Sequence, residues 1–150
     1  MVVRSLDVNK DQFCSCENDE EFLGLEVLYL SAIGALMYLA NNTRTDIAFA
    51  VNLLARFGSS PTRRLWNGIK HVCRYLRGTI DMKLFYSNDS KSLLVGYADA
   101  GYLSDLHKGR SQTRYLFTCG GTATSWRSTK QALAATSSSY AKIIEMHEAS

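Results

Sequence analysis

Leu93-Leu94-Val95-Gly96-Tyr97-Ala98-Asp99 is a short apolar run that closes on a carboxylate. Its length predicts a buried strand with Asp99 at its end. Downstream, Arg114-Tyr115-Leu116-Phe117-Thr118-Cys119 and Thr122-Ala123-Thr124-Ser125-Trp126 flank Gly120-Gly121. Two glycines tolerate the positive φ values of a tight turn, so these segments predict a hairpin. Ser137-Ser138-Ser139 can then cap a last helix carrying Ala141, Ile144 and Ala149. Just upstream, Met82-Lys83-Leu84-Phe85-Tyr86 predicts another strand, and Asn88-Asp89-Ser90-Lys91 a turn.

Further upstream the hydrophobic period is helical. YLSAIGALMYLA, from Tyr29 to Ala40, is rich in good helix formers and interrupted by Gly34. Ile47, Val51 and Leu54 share a face in a helix predicted from Asp46 to Phe57. Gly58-Ser59-Ser60-Pro61 stops it, and Thr62 is placed to cap the next helix. That helix, Arg63 to Arg77, is sharply amphipathic. Leu65, Ile69, Val72 and Leu76 fall on one face, and Arg63, Lys70, Arg74 and Arg77 nearly opposite. No Asp or Glu occurs between Asp46 and Asp81, so this basic face is locally unopposed. The expected order is three helices, a strand, then strand, hairpin and helix, which is an α+β fold.

The 150 residues carry 46% hydrophobic and 21% charged side chains, enough apolar material for a core. Four cysteines are too few for a disulfide scaffold of this length, and none shows Cys-x-x-Cys spacing. Reduced thiols are the expectation. No stretch reaches the roughly 18–20 apolar residues that cross a bilayer, so no membrane role is expected. Residues 1–24 are polar, with acidic Glu17, Asp19, Glu20 and Glu21, and are expected to form a mobile leader.

Asp99 is the sharpest candidate for chemistry. A strand-end carboxylate either binds a metal or meets solvent, and this half of the chain offers few other oxygen ligands. Asp105 is expected in the loop that follows. His71, His107 and His147 have no second His or Cys at ligand spacing. There is no Gly-x-Ser-x-Gly elbow and no phosphate loop. The face of Arg63, Lys70, Arg74 and Arg77 suits phosphate contact, or is an ordinary solvated surface. Trp66 and Tyr75 read as packing residues.

The runs YLSAIGALMYLANNTRTDIAFAVNLLARF, WNGIKHVCRYLRGT, LLVGYADAGY and SQTRYLFTCGGTATSWRSTKQ, with the closing helix, resemble the Pol polyprotein of Ty1/copia-type retrotransposons. The resemblance covers nearly the whole chain. It implies that residues 25–88 are the helical tail of reverse transcriptase. Residues 89–150 would open a truncated RNase H-like mixed sheet with one helix. RNase H of this family cuts the RNA strand of an RNA–DNA hybrid with two Mg²⁺ ions held by four carboxylates.

Carried over residue by residue, Asp99 is the first of those carboxylates, and the second falls on Lys142 in SSSYAKIIEMHEAS. The other two would follow Ser150. A lysine at a metal-binding position reverses the Coulomb interaction with the cation. The resemblance thus implies Mg²⁺ in the family, none bound here, and no RNase H activity. Glu145, one turn further along, is expected to pair with Lys142 at i,i+3, the alternative being that it leans toward Asp99. The family usually has Pro at position 45 and Gly at position 114, where this chain has Thr45 and Arg114. An incomplete sheet would also leave an unpaired edge open to self-association.

The chain also resembles a copia-derived member of the secreted RxLR effectors of oomycete plant pathogens. Such effectors enter host cells and suppress cell death, which would imply a host protein as partner. Arg4-Ser5-Leu6-Asp7 and Asp19-Glu20-Glu21-Phe22 are degenerate versions of the entry signal. The first resemblance implies an intracellular location and the second a secreted, host-targeted one.

Overall fold

The computed structural model describes residues 26–88, 93–105 and 109–149. The expected leader, with its acidic run, Cys14, Cys16 and the entry-signal likenesses, lies outside them, as do His107 and most of the 88–91 turn. Among the described residues are four α-helices and one three-stranded sheet, so the class is α+β.

The first three helices build the apolar core. Helix α1 (Glu26–Asn42) buries Tyr29, Ile33, Leu36 and Ala40, which recur every three or four residues on one face. A 3₁₀ turn (Thr45–Ile47) leads into α2 (Ala48–Ala55), which buries Val51, Leu53 and Leu54. The single helix expected from Asp46 to Phe57 is therefore split, and Arg56 and Phe57 already belong to a turn. Helix α3 (Arg63–Gly78) adds Leu65, Ile69 and Val72. Thr62 caps it as expected, its hydroxyl accepting from the Leu65 N–H at 3.4 Å. The Tyr29 hydroxyl is satisfied by donating to the Leu54 carbonyl at 2.8 Å, and burial pushes its pKa up to about 12. Trp66 packs against Tyr29 with ring centroids 6.5 Å apart.

An ion pair closes the far end of this helical layer. Arg44 meets Asp46 through two hydrogen bonds of 3.0 and 2.6 Å. The same guanidinium donates to the carbonyl and hydroxyl oxygens of Thr79, just after α3, at 3.2 and 2.7 Å. It also lies 5.6 Å from the centre of the Tyr75 ring.

The sheet has the order β1-β2-β3, with β1 at Leu94–Asp105, β2 at Arg110–Cys119 and β3 at Thr122–Lys130. All its pairings are antiparallel, which corrects the expectation of a mixed sheet. The links 106–109 and 120–121 are too short for the crossover that parallel neighbours need. Gly120 and Gly121 take φ of 58° and 80°, the left-handed values predicted for the hairpin turn. Strands β1 and β3 each have one paired neighbour among the described residues.

Three further strand expectations are corrected. Strand β1 runs past Asp99 to Asp105, because β2 keeps pairing with it through Gly101 and again at Asp105. Asp99 is therefore mid-strand, and Asp105 is a strand residue bonded to Lys130 instead of a loop residue. Nor is 93–99 a buried run: Leu94 and Tyr97 are 64% and 59% exposed. Residues 82–88 form no strand. They meet the hairpin through Tyr86, whose hydroxyl donates to the Ala123 carbonyl at 2.8 Å, and Phe85, whose carbonyl accepts from Thr122. Two side-chain bonds without a backbone ladder do not make a strand.

Helix α4 (Ser138–Ala149) is capped by the Ser137 hydroxyl, which accepts from the Tyr140 N–H at 3.1 Å. It lies against β1 and β2 and turns Ala141 and Glu145, four residues apart, inward.

The Arg44–Asp46 pair sets a pH dependence. Hydrogen bonding from Arg44 holds the Asp46 carboxyl at about 2, below its usual 3.8, with Tyr75 assisting and burial opposing. A lowered folded pKa stabilises above the unfolded value, and that contribution fades as pH falls from about 4 towards 2. Asp46→Asn is expected to cost on the order of 1–2 kcal/mol at pH 7. The gap between the two proteins should close below pH 3 in urea titrations at a series of pH values.

Candidate functional site

Cross-strand register assembles a face from all three strands. Asp99 pairs with Arg114, and Arg114 with Ser128. Two residues along, Tyr97 pairs with Leu116 and Leu116 with Trp126. Successive side chains of a strand alternate between faces, so these six share one. A charged tier thus lies beside an apolar one.

This face looks towards α1 and α2. The indole N–H of Trp126 donates to the Ala40 carbonyl at 2.7 Å. The Arg114 guanidinium lies 4.8 Å from the centre of the Phe49 ring. Arg56, just after α2, donates to Gln112 and stands 4.0 Å from Asp105. Between Phe49 and the sheet is an open cavity of about 290 Å³, lined by Asp99, Arg114, Tyr97, Leu116 and Trp126 among others.

Arg114 reaches Asp99 with Nη1 3.9 Å from Oδ2, an ion pair longer than a hydrogen bond. Gly101, two residues along β1, makes room for it. A Cβ at that position would lie 2.9 Å from Nη2 of Arg114. The side chains of Arg114 and Asp99 are 42% and 72% exposed, although Nε of Arg114 is itself buried without a hydrogen-bond partner.

Lys142 does not join this constellation. The Gln131 amide donates to Thr113 at 3.2 Å and to the Ala141 carbonyl at 2.9 Å, tying α4 to the sheet. Thr113 neighbours Arg114 in β2, so it points to the opposite face. Lys142 itself is exposed on α4. The expected pairing of Glu145 with Lys142 is corrected as well. Glu145 is 2% exposed, and its Oε1 has no hydrogen-bond partner. Burial pushes its carboxyl pKa up, with Asp99 adding to the rise and Lys142 and Arg114 opposing it. Sharing the inward face with Ala141 has overridden the local i,i+3 pairing.

The residues do not suit two Mg²⁺ ions. Asp99 faces a guanidinium, Lys142 brings no oxygen ligand, and burial raises the carboxyl pKa of Glu145. Among the described residues no three His, Cys, Asp or Glu side chains group in a way that could hold a metal ion.

Arg63, Lys70, Arg74 and Arg77 are all exposed along α3, the face that their spacing predicts. Tyr75 is 45% exposed and lies at the Arg44 cluster, whereas Trp66 packs in the core region as expected. Sequence reasoning passed over Phe49, Tyr97 and Trp126 as site residues, and saw Arg114 only as a departure from Gly. Counting back from Gly120-Gly121 would align Arg114 with Arg127, and the register shift between Phe117 and Thr118 that sets it opposite Ser128 instead has no signal in the sequence. No sequence signal brings Phe49 over Arg114.

The chain is 42% identical to secreted RxLR effector protein 161 of Plasmopara viticola over 123 residues, 82% of this chain and 87% of that protein. It is 39% identical to the retrovirus-related Pol polyprotein from transposon TNT 1-94 of Nicotiana tabacum, over 91% of this chain and 10% of the polyprotein. It is 38% identical to the Pol polyprotein from transposon RE2 of Arabidopsis thaliana, over 69% of this chain and 7% of the polyprotein. The chain thus spans a tenth or less of these polyproteins and most of the effector. No family model and no solved structure matches it. With this much shared sequence, the chain belongs to the family of retrovirus-related Pol polyproteins of copia-type transposons, alongside the RxLR effector.

Proposed function

We propose that this Pol-family chain is a nucleic-acid-binding unit that has lost RNase H chemistry. In this reading residues 25–88 correspond to the reverse transcriptase tail and residues 89–150 to the opening of an RNase H-like domain. Three antiparallel strands followed by a helix support that assignment. The observation that carries the loss of activity is the Arg114–Asp99 pair. The carboxylate that would hold a metal faces a fixed positive charge at 3.9 Å. Hydrolysis of a phosphodiester by two metals needs several carboxylates to offset their charge, and a guanidinium there acts against both ions.

Binding rests on α3. Its four exposed basic residues recur over about 21 Å of helix, a length that follows several phosphates of one strand. No Asp or Glu lies between Asp46 and Asp81, so α3 carries no acidic residue of its own beside these four.

The reading yields two expectations. Incubated with Mg²⁺ and a labelled RNA–DNA hybrid, the protein should leave the RNA strand intact. Cutting that disappears in Asp99→Asn would refute the loss of activity. Binding of a labelled oligonucleotide should weaken steeply with salt, with a log–log slope of about −3 to −4 if all four cations take part. Arg74→Glu/Arg77→Glu should reduce that slope by about 2 and lower affinity at least tenfold at low salt. A slope near zero, or no change in the variant, counts against α3.

A second reading has one observation behind it: the effector relative is matched over 87% of its length. On that reading the chain is a secreted effector that works through a host protein. Mass spectrometry of secretions from the organism that expresses it checks this. Recovery in the secreted fraction supports the reading, and confinement to the cell pellet ends it.

A further inference from the structure

We propose that the cavity under Phe49 is a recognition site for a single unpaired guanine base, read by Asp99 and Arg114. This deepens the nucleic-acid reading and rests on it for the ligand class: α3 would attract the backbone, and the cavity would select a base.

The size of the cavity sets the scale. About 290 Å³ lies at the small end of ligand pockets, suited to one planar ring system. Its walls supply the stacking surfaces. Phe49 and Tyr97 are 38% and 59% exposed, and Trp126 and Leu116 line the floor. Aromatic side chains left partly open around a cavity are the usual platform for an unstacked base.

Polar groups choose among bases. Asp99 offers two acceptor oxygens, and Arg114 offers donors in a planar fork. At 3.9 Å Nη1 of Arg114 and Oδ2 of Asp99 attract without sharing a hydrogen bond, so the carboxylate and the terminal guanidinium nitrogens keep bonding capacity for a ligand, while Nε is buried. Guanine presents two adjacent donors, N1–H and the N2 amino group, which match one carboxylate. Its O6 acceptor lies next to them and matches a guanidinium. Adenine and cytosine place a ring acceptor beside their amino group, where the carboxylate would repel it. Uracil flanks its one donor with two acceptors. Charge-assisted bonds from both groups therefore favour guanine. A duplex hides these edges in base pairs, so the base must be unpaired.

Guanosine monophosphate is the probe, in a Trp66→Phe background that leaves Trp126 as the fluorescent reporter. Guanosine monophosphate should quench Trp126 saturably, and bind at least about fivefold more tightly than the adenosine, cytidine and uridine monophosphates. Asp99→Asn should erase that preference, and Phe49→Leu should weaken all four nucleotides. Both positions are partly exposed, and circular dichroism confirms that each variant folds. Failure to saturate at about 10 mM overturns the proposal, as does equal affinity for all four nucleotides or an unchanged preference in Asp99→Asn.

The same titration in Arg74→Glu/Arg77→Glu separates the two readings. Retained mononucleotide binding with lost oligonucleotide binding upholds both. Salt-dependent oligonucleotide binding without mononucleotide binding sinks the guanine site alone. Mononucleotide binding without oligonucleotide binding in the unmodified protein sinks the α3 reading alone.

Discussion

Ser111, Gln112, Thr113 and Gln131 are fully buried in and beside the middle strand, and all four are polar. A sheet with such a centre gains little from apolar burial and must be held by hydrogen bonds, because an unpaired buried polar group is costly. Most of the bonds are present, although Oε1 of Gln131 has no partner. Ser111 accepts from the Leu103 N–H at 3.3 Å, Gln112 donates to Ser128 at 3.1 Å, and Thr113 accepts from Gln131 at 3.2 Å. Arg56 completes the set by donating to Gln112 from the end of α2. Burial lowers the pKa of this guanidinium, and Asp105 opposes the effect. The helices keep the apolar core to themselves, and the sheet is fastened to them through Arg56, Trp126 and Arg114.

That mode of attachment shapes the candidate site. The two layers meet at Arg56, Trp126 and Arg114 and leave space between them. The cavity under Phe49 is such a space. Arg114 serves both purposes: it stacks on Phe49 and faces Asp99. A glycine at position 114 would leave Asp99 without that counter-charge. A cation covalently part of the strand changes what the carboxylate can do, from gripping a metal towards hydrogen bonding with a neutral donor.

Much of the helical layer was legible in order. The period of Leu65, Ile69 and Val72 locates α3 and its exposed basic face, because a helix converts spacing into direction within a single element. Thr62 and Ser137 were readable as caps for the same reason, since capping bonds reach only three residues. The β half was legible mainly at Gly120-Gly121, whose backbone conformation other residues rarely adopt. The extent of β1 was not legible. Pairing with β2 carries it through Ala100 and Gly101 to Asp105, and apolar content does not reveal a neighbour. Glu145 shows the limit from the other side. Local spacing suggested an ion pair with Lys142, and packing of α4 on the sheet buried the carboxyl instead.

Residue order by itself determined the kinship with copia-type Pol polyproteins, the lysine at position 142, the basic stripe on α3 and the glycine hairpin. Each is a matter of identity at a position or of spacing within one element. Only the tertiary structure decided that Arg114 stands against Asp99, that Phe49 roofs a cavity, and that Lys142 is kept apart from both. Those relations join residues tens of positions apart. They follow from strand register and from which sheet face the helices cover, and short-range physics along the chain specifies neither.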